Sequence, residues 1–430
     1  MDLPEKLDVA IIGAGLSGIC ALIRVRQAFA DANVIVPEKA AEVGGTWAKS
    51  TYPGLSYDIP SQILRYIRRV VFDYGCEDHS RTKQEFTGAK WLEEDLLWRI
   101  LVRDTASGKD YAFANRPNEA DAIQELKNFK GHILHSARWE HSLDLQDMDV
   151  LVIGNGCSAN QFIPHLARKA SIKHLTQVVR SAHWIAPKEN QRVPGWQQRI
   201  WLAASLDLGF IAFQTSLIGK LVRGAVQRSL RTYMQRTAPA RYHDILIPDF
   251  DFEAKRPVLG HGYLTVLHDP KVELVKSQAL KVVGPNSIAS DDGRIFQADV
   301  IVLANGFKTQ ELLTPMEIVG RDDAELPRSW KEEHCFTSAY MGVSIHGFPN
   351  LFLLTGPNTP PSGHSTLVGI ECSVEYIIRL LKKLLGELSA PNNASLGLRA
   401  DAQKAFNDRL QTRMNGLVYS AHAITDRLDW

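Results

Sequence analysis

Twice in 430 residues the chain runs an apolar strand into a glycine-rich turn and out into a helix-forming segment. The first copy is DVAIIGAGLSGICALIRVRQ, with Gly13, Gly15 and Gly18 in G-x-G-x-x-G register. The second is DVLVIGNGCSANQFIPHLAR, with Gly154, Gly156 and Ala159 at the same spacing. The first two glycines of such a turn let the backbone bend sharply and approach a pyrophosphate. The third small residue lets helix and strand pack closely, and the helix N-terminus then faces the phosphates. One match of this kind is weak, because glycine-rich turns are common. Both copies here lie between a strand and a helix, which is the context the binding chemistry requires. The pattern predicts an α/β chain with two Rossmann-like dinucleotide-binding domains.

The end of each second strand separates the two sites. In VIVPEK, Glu38 follows Gly15 at the distance where a carboxylate accepts hydrogen bonds from an adenosine ribose and repels a 2′-phosphate. In TQVVRSAHW, Arg180 occupies the equivalent place after Gly156, where a guanidinium suits a 2′-phosphate and Ser181 can add a hydrogen bond. An unphosphorylated adenine dinucleotide in one site and NADP(H) in the other make sense as a resident redox relay and a hydride source. That assigns FAD to the first site and NADPH to the second. Gly45, Thr46 and Trp47 add close-approach backbone to the FAD site. Ser158, Ala159 and Gln161, in the first turn of the second helix, join the NADP site. FPNLFLLTGPNTP, 348–360, reads as a buried strand, and 366–385 as a helix whose N-terminus faces the flavin or simply packs.

Composition removes several alternatives. Lys plus Arg (49) nearly balances Asp plus Glu (48), so nucleic acid is not an expected partner. Cys20, Cys76, Cys157, Cys335 and Cys372 are scattered, which argues against a disulfide framework and a zinc site and fits a reducing, cytoplasmic setting. No metal site is expected. MDLPEKLDVAIIG passes from a charged stub into a strand without a signal-peptide core. WLAASLDLGFIAFQTSLIGKLV, 201–222, is long enough for a bilayer, but Asp207, Lys220 and several polar residues interrupt it. It reads as a buried or substrate-facing helical insert, with no stable membrane anchor.

FKGHILHSARWE, 129–140, is too polar for a strand interior, yet it leads into the second glycine turn. Its Phe129, Gly131, His135 and Trp139 match F-x-G-x-x-x-H-x-x-x-W at every specified position. With these residues the chain resembles the flavin-dependent Baeyer–Villiger monooxygenases, a branch of the class B flavoprotein monooxygenases, and is most similar to their fungal secondary-metabolite members. The resemblance runs from about residue 8 to about 420. TYPGLSYDIPS resembles the family's YPG loop and puts its aspartate at Asp58. DFDFEAKRPVLGHG resembles the segment with an active-site Lys–Arg pair, here Lys255 and Arg256. DVIVLANGFKT resembles the ATGF strand, with Asn305 for Thr.

The resemblance implies an FAD segment at 1–128, a hinge at 129–145, an NADP domain at 146–310 with a helical insert at about 195–250, and a second FAD segment at 311–430. The second domain is thus inserted in the first. It further implies an NADPH-dependent oxidoreductase that inserts one oxygen of O2 beside the carbonyl of a small-molecule ketone, giving an ester or lactone. Arg256 would supply a fixed positive charge to the reacting anion, Asp58 would orient that arginine as well as contact FAD, and Lys255 would contact the 2′-phosphate. A nitrogen- or sulfur-hydroxylating flavin monooxygenase and a non-catalytic relic are the competing readings. The relic draws on departures from the family pattern: a shorter connection after DIPS, no FLIxATG-type strand between Ala114 and Asn115, and a short C-terminus.

Overall fold

The structure, a computed structural model, describes residues 6–55, 60–105, 123–169, 172–187, 211, 214–306, 312–326, 330, 337–359, 366–387 and 394–418. It divides into two compact units: residues 1–49, 59–116 and 309–412 in one, 50–58, 117–308 and 413–430 in the other. The stretch 129–145 lies inside the second unit.

The first unit opens with β1 (Val9–Ala10), α1 (Leu16–Ala28), β2 (Val34–Glu38), the short α2 (Thr46–Lys49), α3 (Pro60–Asp73) and β3 (Ser80–Thr82). The three strands form a parallel sheet in the order β1-β2-β3. Helix α1 buries Ile19, Leu22 and Val25, residues spaced three apart along one face, against Val36, Ile67 and Val71. An antiparallel hairpin follows, β4 (Gln84–Leu92) and β5 (Leu97–Asp104), in which Trp91 lies opposite Trp98 with ring centroids 5.5 Å apart. WRILVRD is therefore committed to this hairpin. The expected gap at Ala114–Asn115 lies outside the described residues. Among those described, β1 pairs only with β2.

The second unit contains β6 (His132–His135), β7 (Asp149–Ile153), α4 (Cys157–Lys169), β8 (His174–Val179), β9 (Ile185–Pro187), α5 (Leu217–Thr237), α6 (His243–Leu246), β10 (Val258–Gly260), α7 (Tyr263–Val266) and β11 (Val272–Lys276). It continues with a three-stranded meander of β12 (Leu280–Gly284), β13 (Ser287–Ser290) and β14 (Ile295–Gln297), then β15 (Val300–Leu303). Its main sheet is parallel, in the order β11-β8-β7-β15-β6. β7 and β15 are buried apolar runs because both faces of a parallel sheet are covered.

Three expectations need correction. HILH is a strand after all: β6 pairs with β15 from His132↔Val300 to His135↔Leu303. Edge position explains its polarity, since Ile133 faces solvent while Leu134 and His135 are buried. FPNLFLLTG is not a strand. Only Phe352 makes a bridge, to Ser344, and positive φ at Asn350, Thr355 and Asn358 breaks up any extended run. In the apolar run 201–222, residues 201–210 lie outside the described set, and α5 begins only at Leu217, capped by the Ser216 hydroxyl, which accepts from Gly219 N–H at 3.2 Å. Its first turns are exposed, not buried, at Leu217, Ile218 and Leu221. No described helix is long and apolar enough to cross a membrane.

The chain then returns to the first unit with β16 (Glu317–Val319), which adds parallel to β4, then α8 (Thr366–Glu387) and α9 (Ala400–Met414), whose residues from Arg413 on belong to the second unit. Helix α8, expected at 366–385, packs against α1.

Candidate dinucleotide sites

The first glycine turn leaves β1 with Gly13 at φ +93°, a region only glycine enters cheaply. A Cβ on Gly18 would sit 1.9 Å from the Gly13 carbonyl oxygen, so helix and turn meet as closely as backbone allows. Glu38, at the end of β2, is buried. Its Oε2 accepts from Ala14 N–H and its Oε1 from Ala40 N–H, both at 2.8 Å. The carboxylate thus holds the turn while each oxygen keeps a second lone pair. Gly45 (φ +56°) lies against Gly15, where a Cβ would be 2.9 Å from Gly15 Cα, and Gly44 N–H donates to Ala14 O at 2.9 Å. Thr46 and Trp47 begin α2 beside this double-glycine contact, and Trp47 packs on the first unit's core. Burial pushes the Lys49 ammonium pKa down, with Glu38 and Glu85 opposing the shift. The sequence reading missed Lys49, because only folding brings it near the carboxylate of β2.

The second turn sits where the strand order reverses, between β7 and β15. Gly154 (φ +107°) faces Ala304, whose carbonyl oxygen would be 2.5 Å from a Cβ there. Gly156 has open space where a side chain would be, and Ala159, in the first turn of α4, is fully buried. The loop is braced from below: Tyr263 hydroxyl donates to Gln177 Oε1 (2.7 Å), and Gln177 Nε2 donates to Gly154 O (2.8 Å). Asn155 Nδ2 donates to Ser181 O (2.8 Å), which leaves its buried Oδ1 without a protein partner. At the end of β8, Lys255 Nζ donates to Ser181 Oγ at 3.2 Å, while Arg180 is exposed and its carbonyl accepts from Gln278 Nε2. Arg180, Ser181 and Lys255 therefore share one end of the sheet.

The four fingerprint residues each have a packing reason inside this unit. Phe129 is buried in the cluster under the meander. Gly131 approaches the Asp299 carbonyl so closely that a Cβ would lie 2.3 Å from its oxygen. His135 ends β6, with Nδ1 accepting from Ala137 N–H at 3.0 Å. Burial pushes its pKa down to about 4, against a backbone hydrogen bond with Gly306 that favours the charged ring. Trp139 packs on Phe162 of α4, ring centroids 5.4 Å apart.

Three further residues were not singled out from sequence. Tyr52, in the YPG loop, donates to Gln161 Oε1 at 2.9 Å, lies against Ser158, and packs edge-on to Phe162. Gly54 (φ +78°) presses on the same helix, 2.7 Å from the Gln161 carbonyl oxygen if it bore a Cβ. The loop thus belongs to α4's first two turns, where Ser158 and Gln161 stand. Its Asp58 lies outside the described residues. His183, two residues after Ser181, is driven to a pKa of about 4 by burial, then by the Lys255 charge, with the Arg256 backbone opposing. Arg256 itself is exposed, beyond a turn in which Ala254 N–H donates to Asp251 O (3.0 Å) and buried Glu253 holds φ +68°.

Residues 11–74 match a family described as NAD(P)-binding Rossmann-like domain. A Baeyer–Villiger monooxygenase of Streptomyces coelicolor is 29% identical over 462 aligned residues, covering 98% of this chain and 86% of that protein. That span is longer than the chain itself, so the alignment opens internal gaps in this sequence. The FAD-binding monooxygenase ktnD of Aspergillus niger is 24% identical, covering 95% and 74%. The crystal structure of OTEMO in complex with FAD and NADP superposes with a TM-score of 0.81 at 21% identity, over 97% of this chain and 91% of that one. Over nearly its whole length the chain is therefore similar to Baeyer–Villiger and FAD-binding monooxygenases, and it shares the α/β fold of the OTEMO structure.

Proposed function

We propose that the chain is an FAD- and NADPH-dependent monooxygenase that inserts one oxygen of O2 beside a ketone carbonyl. The observation that carries this reading is the opposite chemistry at two equivalent strand ends. Acceptor-only Glu38 closes the first fold, and the Ser181–Lys255 pair beside Arg180 closes the second. The residues fit their groups. Gly13, Gly15, Gly18 and Gly45 offer backbone to a pyrophosphate, and Glu38 retains lone pairs for ribose hydroxyls. Gly154, Gly156, Ser158, Ala159 and Gln161 would hold the NADP pyrophosphate, with three donors for its 2′-phosphate, and Asn155 Oδ1 offers a buried acceptor.

Bound FAD, reduced by NADPH, supplies the electrons that activate O2. The overall conversion is ketone, O2, NADPH and a proton to ester, NADP+ and water. Within it, Arg256 would contribute a charge that needs no protonation step, available wherever negative charge develops on oxygen. The family resemblance gives Asp58 the task of orienting that guanidinium. The hinge role of 129–145 and the segment assignment, FAD at 1–128 and 311–430 and NADP at 146–310, rest on the fingerprint resemblance. So does the placing of the substrate among polyketide-type ketones of fungal secondary metabolism.

Hydroxylation of nitrogen or sulfur is the second reading. The Lys255–Arg256 pair and the Trp139 ending of the fingerprint favour the ketone reaction. Mass analysis of products from ketone, amine and sulfide panels under 18O2 tests it. Singly labelled ester from ketones supports the proposal, and N-oxide or sulfoxide alone overturns it.

A further inference from the structure

Helix α5 has 21 residues and not one acid among them, against five basic side chains: Lys220, Arg223, Arg228, Arg231 and Arg236. Arg223 is turned inward, 2% exposed, where it pairs with Asp251 (3.4 Å) and donates to Gln214 O (2.6 Å). The other four are exposed. At 100° per residue, Leu217, Leu221, Arg228 and Arg231 fall on one stripe opposite the buried Gly219, Leu230 and Met234. Leu217, Ile218 and Leu221 are 75%, 65% and 66% exposed, an apolar tip with no core to enter among the described residues. Arg413 adds a further exposed cation beside that tip. Its carbonyl accepts from Gly416 N–H, and Gly416 O accepts from Thr215 N–H, one residue before the cap.

We propose that this face of α5 docks reversibly on an anionic lipid surface. The leucine tip enters the headgroup–acyl boundary while Lys220, Arg228, Arg231 and Arg413 meet lipid phosphates and carboxylates. Charge complementarity favours this occupant, because a helix with only cations on its exposed face is drawn to a negative surface. Leucines this exposed bury themselves in hydrocarbon without needing a shaped partner groove. The nearby Asp251 is occupied by Arg223 and so does not cancel the exposed charge. One short apolar tip gives surface association, not insertion across the bilayer. The inference rests on the helix and is independent of the reaction proposed above.

Co-sedimentation of the full-length protein with phosphatidylserine–phosphatidylcholine vesicles, and with phosphatidylcholine alone, tests it. The expected result is binding to the mixed vesicles that weakens with salt, at least about 10-fold stronger than to the neutral ones. Arg228→Glu with Arg231→Glu, and separately Leu217→Asp with Leu221→Asp, should each lower it at least about 10-fold. Circular dichroism serves as the folding control. Absence of binding to the mixed vesicles, equal binding to both kinds, or unchanged binding by both folded variants would overturn the proposal.

Discussion

Lys255 Nζ donates to the Ser181 hydroxyl at 3.2 Å, which ties the turn after β8 to the turn before β10 at the edge of the second glycine loop. Two donors held together beside Arg180 form a polar end to the sheet that suits a phosphate better than a ribose diol. Cofactor choice follows. Arg180→Ala should raise the KM for NADPH about 10-fold or more and leave that for NADH nearly unchanged, since a charged hydrogen bond is worth about 1.5–3 kcal/mol. Steady-state kinetics with both nucleotides checks this, and equal losses would remove the 2′-phosphate assignment.

Arg256 is exposed, so replacing it disturbs no core. Arg256→Ala should keep its fold and flavin content but yield no ester, because the reacting anion loses its counter-charge. NADPH oxidation without product, followed alongside product yield, is the expected outcome. Full ester formation by the variant would discard the role.

His135 and His183 are both held near a pKa of about 4 by burial. The unfolded chain binds these protons near pH 6.5, so it takes up more protons than the folded one between the two values. Each ring therefore contributes stability that is full above pH 6.5 and declines as pH falls toward 4. The loss is about 2 kcal/mol per histidine by pH 5. Urea unfolding at pH 7.5 and pH 5 should show the drop, and His135→Asn should reduce it.

Gly131 has no room for a methyl group. The Asp299 carbonyl that blocks it is itself held by His132 N–H at 2.9 Å. Gly131→Ala should cost about 2 kcal/mol, a fall of roughly 4–8 °C in the melting temperature. A calorimetric scan matching that of the parent protein would contradict the packing reason for this fingerprint glycine.

Cofactor retention should be unequal. The first unit's parallel sheet has three described strands, with a two-residue β1 paired on one side, whereas the second has five. FAD should be lost on gel filtration while NADPH titration still saturates. A flavin-to-protein ratio near one after the column would show that the first fold is closed well enough to hold it.

Local chemistry carried much of this protein in its sequence. Strand–glycine–helix order, the carboxylate at Glu38 and the guanidinium at Arg180 depend on neighbours a few residues away or on one βαβ unit, so spacing reveals them. Helix α8 was legible for the same reason, as a long apolar periodic run. The YPG loop was legible as a motif, but its destination was not. Only packing brings Tyr52 to Gln161, 109 positions away. HILH misled because polarity alone cannot tell an edge strand from a loop, and its place beside β15 depends on a partner more than 160 residues later. FPNLFLLTG misled in the opposite direction: apolar composition does not report the positive φ angles that interrupt it. The charge states of His135 and His183 were likewise decided by tertiary structure, since desolvation comes from distant segments closing over the ring. Sequence determined the backbone freedom and the side-chain charge at each turn, because both are local. Tertiary structure decided which side chains meet, which are buried and which, like the leucines of α5, stay in water, because burial belongs to the packed whole.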